Sequence, residues 1–339
     1  MVLGHHLPLT TYPQAVRDRG RLASAGMRAV ALTEYGGPEV LRLQELPDPL
    51  VGPDFVLIEV RAAGVNPVDC KMRSGLLRRT YPNHTPLIPG WDVAGVVRAT
   101  GPAVTDFTAG EEVIGYIRKD HVQHGSYAEL VAVSERVLAR KPSSQSFAEA
   151  AALPLAGLTA VQTLEAVKAG AGDTVLVHAA AGGVGHLAVQ VARAAGVERV
   201  IGTASPGNHG FVRSLGAEPV AYGDGLAERV AELVGGDGKV DVALDFAGGA
   251  ALRASPSLVR DPTRHVSVVD ARTALRQGGR YVFVRPDGPQ LTWLAALADA
   301  GALHVEVQQT FPLEQAALAH AVLEGGHVRG KLVLTMAPR

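Results

Sequence analysis

A glycine-rich turn within residues 173–196 is the clearest chemical signal in the chain. An apolar run, 174–177, leads into the sequence AAAGGVG, and apolar residues then recur at helical spacing. Bare backbone N–H groups in such a turn can bind a phosphate, because no Cβ holds the ligand off. The residues of the turn are Gly182, Gly183, Val184 and Gly185. Two glycines three apart are weak evidence alone. Between a strand and a helix, with further strands and helices following, they predict dinucleotide binding rather than simple packing of helix on sheet.

The loop after the next predicted strand indicates which dinucleotide is bound. Enzymes that prefer the unphosphorylated cofactor usually carry an Asp or Glu about 20 residues past the glycine turn. Residues 202–209 read GTASPGNH and contain no acid. Ser205 and Asn208 can donate hydrogen bonds to a 2′-phosphate, and Arg213 can add positive charge, although both polar residues could instead cap the next helix. The loop therefore favours NADPH over NADH.

Composition excludes several classes of function. The 339 residues, 47% of them hydrophobic, suffice for two domains with sizeable cores. A formal net charge of −1 provides no basic surface for nucleic acid. No uninterrupted apolar window of about 18 residues predicts a membrane span. Residues 1–26 lack the apolar run of a secretory signal and are interpreted as a poorly ordered extension. The single cysteine, Cys70, suits a reducing, cytoplasmic location.

The elements that must position the turn are of two kinds. Residues 27–141 contain short β runs separated by glycine and proline turns, which predicts a small barrel-like β domain. From about 147 the period becomes helical, with two helices around Pro154, and strands then alternate with helices. Six strands are predicted at 174–177, 199–203, 219–222, 240–245, 265–269 and 280–284, with a helix at 226–234 and a closing strand at 331–335. The six form two halves of a doubly wound sheet, with the ligand crevice at the strand C-termini.

In these motifs and their order the chain resembles the medium-chain dehydrogenase/reductase superfamily, and within it the zinc-independent quinone oxidoreductase-like branch. Besides the glycine turn, the matching motifs are AVALTEYGGPEVL at 29–41, AGVNPVD at 63–69, PGWDVAGV at 89–96, AAALPLAGLT at 150–159, SLGA at 214–217 and GKLVL at 330–334. The resemblance implies an α/β fold in which a doubly wound Rossmann NADP-binding domain, 148–288, is inserted in a GroES-like substrate domain. That substrate domain is a mostly antiparallel β-barrel made of 27–147 and 289–339.

The same resemblance bears on metal use. Zinc-dependent branches carry a cysteine at the position of Asn66 and a His-Glu pair at the positions of Trp91 and Asp92, and they have a four-cysteine lobe that this chain lacks. A catalytic zinc needs three good protein ligands. No zinc is therefore expected, and the H-x-x-H pair of His121 and His124 is interpreted as part of a solvated loop.

Five further residues are expected near the cofactor, three from the family resemblance and two from their place at strand ends. Asn66 and Thr159 resemble residues that approach the nicotinamide and its ribose, where polar groups orient the ring for hydride transfer. Tyr222 resembles a position against the adenine, and Val269 and Phe283 lie at or near strand ends beside the nicotinamide. Structural interpretations stand beside these: a turn residue for Asn66, a strand end for Tyr222, and packing for Val269 and Phe283.

The expected substrate cleft needs a hydrogen-bond donor. Negative charge builds on oxygen when hydride reaches a quinone or the β-carbon of an enone, so a donor there lowers the barrier. Lys71 and Tyr81 are the candidate donors, beside Asn66 as the third candidate catalytic residue. Lys71 could equally be a solvated surface residue, and Asp69 is interpreted as a partner of neighbouring backbone. The sequence thus predicts a zinc-independent, NADPH-dependent oxidoreductase acting on a small-molecule quinone or α,β-unsaturated carbonyl.

Two other functions stay open. An enoyl-thioester reductase would need basic residues for the phosphates of its carrier, and Arg73, Arg78 and Arg79 lie near the expected cleft. A low-turnover NADPH-binding sensor or structural protein would keep the glycine turn but lose polar groups at the nicotinamide end. Asn66 and Thr159 are present, which favours an enzyme.

A homodimer is also expected. Relatives in the family often pair through the edge of the cofactor-domain sheet, and 280–284 (RYVFV) is the predicted last strand. An apolar edge left unpaired would be an aggregation hazard. No nucleic-acid or membrane partner is expected.

Overall fold

Two large β-sheets organise the molecule. The computed structural model describes residues 26–339, so all of the interpreted extension except Gly26 lies outside the described residues. The strands are β1 Met27–Ala31, β2 Arg42–Leu46, β3 Phe55–Val65, β4 Asn83–Ile88, β5 Asp92–Thr100, β6 Glu112–Tyr116, β7 Val122–His124, β8 Leu130–Ser134, β9 Leu138–Arg140, β10 Thr174–Val177, β11 Arg199–Ala204, β12 Glu218–Ala221, β13 Val242–Asp245, β14 His265–Ser267, β15 Arg280–Tyr281, β16 Val307–Pro312 and β17 Lys331–Thr335. The helices are α1 Pro67–Arg73, α2 Phe147–Ala152, α3 Pro154–Ala166, α4 Gly185–Ala194, α5 His209–Ser214, α6 Leu226–Val234, α7 Gly249–Leu258, α8 Ala271–Arg276, α9 Gly288–Asp299 and α10 Ala316–Glu324. Within residues 26–339, every helix is too short or too polar to cross a membrane.

The parallel sheet is doubly wound. Its strand order is β12-β11-β10-β13-β14-β15, and every neighbouring pair is parallel. The chain starts in the middle at β10, moves outward to β12, and returns to β13 on the other side. The order reverses between β10 and β13, and ligands of such sheets bind beside the strand C-termini at that point. The predicted six-strand Rossmann-type arrangement is confirmed.

The second sheet combines strands from the N-terminal part of the chain with strands from its tail. Its path is β16-β17-β3-β5-β6-β9, with β8 pairing to β3. Strand β17 runs antiparallel to β3, with Leu334 opposite Ala63, so the tail completes a sheet begun by the N-terminal part. The pairings among the described residues trace an open path, so closure into a barrel stays a prediction.

The structure differs most from the prediction at one strand and at one helix that was not predicted. The last strand of the parallel sheet is only Arg280–Tyr281 instead of 280–284. Val282 still donates its N–H to the carbonyl of Ser267 at 3.1 Å, but pairing ends there. Helix α1, Pro67–Arg73, has no counterpart in the sequence analysis, because seven residues are too few to show a helical period.

Contacts between the two sheets fix the base of the crevice. Asp92, the first residue of β5, accepts the N–H of Leu155 at 2.7 Å, at the start of α3. Gly330, just before β17, donates its N–H to the carbonyl of Ala181 at 2.9 Å. We call the sheet that contains β5 the substrate side, the parallel sheet with its helices the cofactor side, and the segment that leads into β17 the tail. The substrate side and the tail are therefore both hydrogen-bonded to the cofactor side.

Candidate functional site

The glycine turn is held in a tight conformation by close backbone contacts. It connects β10 to α4, whose first residue is Gly185. A Cβ at Gly185 would lie 2.1 Å from the carbonyl oxygen of Ala179, so only glycine fits. Ala179 itself has φ of 56°, a left-handed conformation that alanine adopts at a cost of about 1–2 kcal/mol. Its N–H donates to Oγ1 of Thr203 on β11 at 3.1 Å, which helps to keep the turn in place.

A cavity of about 650 Å³ opens at the turn. Its lining includes Gly182, Thr203, Ser205, Asn208, Tyr222, Asp224, Ala247, Gly248, His327 and Val328. Four of these were predicted cofactor residues, and the structure brings them together from the glycine turn, the loop after β11 and the loop after β12. A volume of this size suits a substantial part of a dinucleotide. The residues present therefore fit a nucleotide cofactor.

The loop after β11 offers hydrogen-bond donors rather than a carboxylate. Asn208 Nδ2 donates to Ser205 Oγ at 3.1 Å, and the Asn208 N–H donates to the Ser205 carbonyl at 2.8 Å. Because Ser205 Oγ accepts from Asn208, its own O–H is available to a ligand. Ser205 and Asn208 do occupy N-cap positions, of the turn 206–208 and of α5, but neither side chain makes a capping hydrogen bond. Arg213 is exposed on α5.

Aromatic side chains line the junction between the two sheets. Phe283, just past β15, is 45% exposed, and its ring centroid lies 6.0 Å from that of Tyr81. Tyr81 packs edge-on against Trp91, also at 6.0 Å. The Arg118 guanidinium lies 5.4 Å from the centroid of Phe283. Burial raises the pKa of Tyr81, against the opposing charge of Arg118, so its phenol stays protonated and able to donate. Val269, past β14, is 41% exposed.

Asn66 lies at the centre of a buried polar cluster. It caps α1, and its N–H donates to Asp69 Oδ2 at 2.8 Å, as the interpretation of Asp69 predicted. Its side-chain Nδ2 donates to Asp92 Oδ2 at 2.9 Å. Its Oδ1 accepts a hydrogen bond from Nζ of Lys331, the first residue of β17. We call Asn66, Asp92 and Lys331 the buried triad.

Opposite charges stabilise each other within the buried triad. Lys331 Nζ lies 3.7 Å from Asp92 Oδ2 and donates to the Val65 carbonyl at 3.2 Å. Burial raises the pKa of Asp92 and lowers the pKa of Lys331. The charge of each partner acts in the opposite direction and favours the ion pair. A buried pair of this kind depends on both members, because either charge alone would be uncompensated.

A second polar chain runs from Asp69 to the surface. Tyr127 donates its O–H to Asp69 Oδ2 at 3.3 Å and lies 3.1 Å from His320 Nε2. Burial, aided by the nearby Arg73 charge, lowers the pKa of His320 to about 3. Arg73 is buried and forms a 2.7 Å ion pair with Glu324. Arg73 is therefore committed within the fold, which corrects its candidacy as a residue for carrier phosphates.

The remaining predicted residues differ in what they can offer. Thr159, buried on α3, donates its O–H to the Leu155 carbonyl at 2.7 Å, so it retains only acceptor capacity. Lys71 is half-buried on α1, and its side chain makes no hydrogen bond or ion pair with any residue in 26–339. His121 and His124 are exposed, and His124 belongs to β7 rather than a loop. In that same part of the chain, no group of three or more His, Cys, Asp or Glu could hold a metal ion.

Lys331 and the residues 327–328 are the parts of the site that sequence reasoning missed. The signal for Lys331 was a single lysine at the start of the otherwise apolar strand LVLT, where burial of the whole strand demands a partner for the charge. His327 and Val328 line the cavity because the tail folds back across the glycine turn. No local pattern marks them.

Comparisons with known proteins agree with this geometry. Residues 52–143 match the family model described as alcohol dehydrogenase GroES-like domain, and residues 215–334 match the model described as zinc-binding dehydrogenase. The chain is 37% identical over 320 residues to the chloroplastic NADPH-dependent alkenal/one oxidoreductase of Arabidopsis thaliana, covering 92% of this chain and 80% of that protein. It is 35% identical to the 2-methylene-furan-3-one reductase of Solanum lycopersicum, with the same coverage. The solved structure of the quinone oxidoreductase from Coxiella burnetii superposes with a TM-score of 0.81 at 35% identity, covering 92% of this chain and 99% of that one.

The chain belongs to the medium-chain dehydrogenase/reductase superfamily, a class of oxidoreductases built from a GroES-like and a Rossmann-type domain. Within that superfamily it is a member of the quinone oxidoreductase-like branch.

Asp69→Asn is expected to change the pH dependence of stability. Burial is the main cause that raises the pKa of Asp69 from 3.8 to about 7. Between those values the folded protein holds a proton that the unfolded chain has lost, so this group's contribution to stability falls as pH rises through about 7. Asp69→Asn removes that contribution. The free energy of unfolding of Asp69→Asn should therefore fall below that of the unsubstituted protein by more at about pH 5 than at about pH 8.

Urea unfolding at both pH values measures this difference. The control is Asp120→Asn, whose side chain is 96% exposed and whose offset should be the same at both. Equal offsets for Asp69→Asn would contradict the raised pKa of Asp69.

Proposed function

We propose that this protein is an NADPH-dependent oxidoreductase that delivers hydride to a quinone or to the activated double bond of an α,β-unsaturated carbonyl, without zinc. One observation carries the proposal: a 650 Å³ cavity at a glycine turn, lined by Ser205 and Asn208, in a doubly wound parallel sheet whose strand order reverses beside that turn. NADPH, when bound, would supply the hydride. The names of the two plant relatives and of the superposed structure support the same acceptor classes.

The preference for NADPH rests on charge around the cavity. The free O–H of Ser205 can donate to a 2′-phosphate, and no acid stands in its loop. One carboxyl, Asp224, does line the cavity. Arg229 offsets it, since its guanidinium donates to the carbonyls of Ala221 at 2.9 Å and Asp224 at 2.8 Å and so adds a positive charge beneath the same loop. Tyr222, 58% exposed in that loop, is available to stack on the adenine.

At the nicotinamide end the chain would orient the ring. Asn66 keeps one free N–H and one free lone pair after its bonds to Asp92 and Lys331. Thr159 can accept but not donate. Val269 and Phe283 are partly exposed and would offer apolar surface to the ring. Holding one face of the ring toward the acceptor is the chain's main contribution to rate.

On the acceptor side, Lys71 and Tyr81 would stabilise the developing oxyanion. Lys71 has no partner within the described residues, so its ammonium can turn to a ligand. Tyr81 is held against Trp91 and Phe283 and keeps its proton. Each donor would act on the oxygen that gains charge as hydride arrives.

The side chains at and beside the buried triad support metal-free chemistry. The positions at which zinc branches have ligands hold an amide, an indole and a carboxylate. The amide of Asn66 and the carboxylate of Asp92 are already bonded to each other, and the Lys331 ammonium lies beside both. A fixed positive charge there opposes a second cation. Conjugation makes the acceptor carbon electrophilic, so no Lewis acid is required.

A second candidate function is reduction of an enoyl thioester. Arg78 and Arg79 are exposed beside α1, and neither side chain has a partner among residues 26–339. Together they could bind a carrier's phosphate. Arg73 cannot join them, because Glu324 holds it.

We also propose a homodimer formed through the outer edge of β15. Val282 donates its N–H inward to Ser267, so the N–H groups of Tyr281 and Phe283 point away from the sheet. Phe283 adds exposed apolar area at this edge. An edge with free donors and apolar side chains suits pairing with a second copy.

NADPH oxidation against a panel of quinones, enones, enals and enoyl thioesters tests the activity. Turnover is expected with quinones or enones, faster with NADPH than with NADH, in protein that contains no stoichiometric zinc by elemental analysis. Tight NADPH binding without turnover on any acceptor would favour a sensor. Turnover on thioesters alone would favour the second candidate, and stoichiometric zinc would overturn the metal-free proposal.

Ser205→Asp tests the position of the 2′-phosphate. A carboxylate there should repel the phosphate and weaken NADPH binding at least about tenfold, or about 1.4 kcal/mol, while NADH binding is retained. Ser205→Asn is the matched control, because it has nearly the same size without the charge. Fluorescence titration with each cofactor gives the dissociation constants. Unchanged NADPH affinity in Ser205→Asp would show that the phosphate binds elsewhere.

Sedimentation at micromolar concentration tests the dimer. The unsubstituted protein is expected to sediment as a dimer and Tyr281→Pro as a monomer, because proline removes an outward N–H without disturbing the inward bond of Val282. Tyr281→Val keeps that N–H and should remain dimeric. A monomeric unsubstituted protein would refute the proposal.

A further inference from the structure

Lys331 is the buried charge whose surroundings carry an inference beyond the proposed chemistry. It is 3% exposed at the start of β17, where the three residues that follow are apolar. All three polar atoms near its Nζ belong to the substrate side of the molecule: Asn66 Oδ1, the Val65 carbonyl and Asp92 Oδ2. The tail thus places a positive charge next to Asn66, the residue proposed to contact the nicotinamide.

The charges on either side of Asn66 determine which way its amide points. An asparagine amide has nearly the same shape in its two orientations, so its hydrogen-bond partners decide between them. Here the ammonium of Lys331 lies at Oδ1 and the carboxylate of Asp92 lies at Nδ2. Turning the amide over would bring its NH₂ against an ammonium and its oxygen against a carboxylate. One orientation is therefore strongly favoured.

The stem of Lys331 touches the phosphate-binding side of the same site. A Cβ added to Gly183 would lie 3.2 Å from Lys331 Cδ and 3.3 Å from the Gly330 carbonyl. The Gly330 N–H donates to the Ala181 carbonyl at 2.9 Å. One residue thus packs against the glycine turn with its stem and bonds Asn66 with its head.

We propose that Lys331 is a positioning residue for hydride transfer: it fixes the amide of Asn66 in one orientation and sets its distance from the glycine turn. The proposal rests on the proposed function, in which Asn66 contacts the nicotinamide. Lys331 acts through Asn66 and needs no contact with cofactor or substrate. Asn66 and Asp92 stand at positions that supply metal ligands in zinc branches. In this chain the ammonium of Lys331 lies beside both residues.

The test uses a variant that removes the charge without leaving its partner unpaired. Lys331→Met alone would leave the buried Asp92 carboxylate without a compensating positive charge. The double variant Lys331→Met/Asp92→Asn removes both charges, and an asparagine at 92 can still accept the Leu155 N–H. Lys239→Met, at an exposed lysine, is the matched control.

The first measurement needs neither cofactor nor turnover. In the protein without added ligand, NMR should show Nδ2 protons of Asn66 that exchange slowly with solvent, assigned by their loss in Asn66→Ala. The double variant should lose this protection while its urea midpoint stays near that of the unsubstituted protein. Asn66 protons that exchange fast in the unsubstituted protein, or equally slowly in the double variant, would overturn the proposal.

The second measurement asks whether Lys331 acts through Asn66. The double variant should lower the single-turnover rate of NADPH oxidation at least tenfold and leave the NADPH dissociation constant within threefold. In an Asn66→Ala background, the same two substitutions should change the rate less than twofold, because the residue they position is gone. Independent, additive effects would overturn the proposal. If no acceptor is reduced by any variant, the proposed function fails, and the NMR measurement still decides the role of Lys331.

Discussion

The buried carboxylate of Asp92 is the interaction on which the site depends. It is fully buried and bonded to three separate stretches of chain: the amide of Asn66, the N–H of Leu155 and the ammonium of Lys331. A carboxylate in the interior is tolerated only when its partners are in place, since an unpaired one costs several kcal/mol. The same requirement that stabilises the fold thus brings the sheet that contains β5, helix α3 and the tail to one point.

The two sides of the crevice are built on different principles. The phosphate side is made by backbone, with Gly185 forced by its contact to Ala179 and the loop at Ser205 set by hydrogen bonds within four residues. The acceptor side is made by packed side chains, with Tyr81 held between Trp91 and Phe283. A backbone cradle serves any dinucleotide in the same way, whereas a wall of side chains can be altered one residue at a time. Cofactor use is accordingly the more constrained property of the fold, and acceptor choice the more variable one.

Features with a local cause could be predicted from the sequence, and features with a distant cause could not. Helix α6 has the predicted limits, Leu226–Val234, because glycines flank a strongly amphipathic run. Strand β15 is shorter than predicted, because apolar composition alone does not tell a paired strand from an extended segment beside it. The lack of an acid in the Ser205 loop, by contrast, is visible in the sequence itself. The contact between Lys331 and Asn66 could not be predicted, since the two residues lie 265 positions apart and a lone lysine in an apolar strand indicates only that some partner is needed.

The pairing of β17 with β3 has a consequence for how the chain reaches this structure. Leu334 and Ala63 are neighbours in one sheet, yet the whole doubly wound sheet lies between them in sequence. To a folding chain, the parallel sheet is a loop whose ends must meet before the other sheet can be completed, and closing so long a loop is slow unless the loop is already compact. Folding of the parallel sheet therefore brings β3 and β17 close enough to pair, as a tight turn does for the two strands of a hairpin.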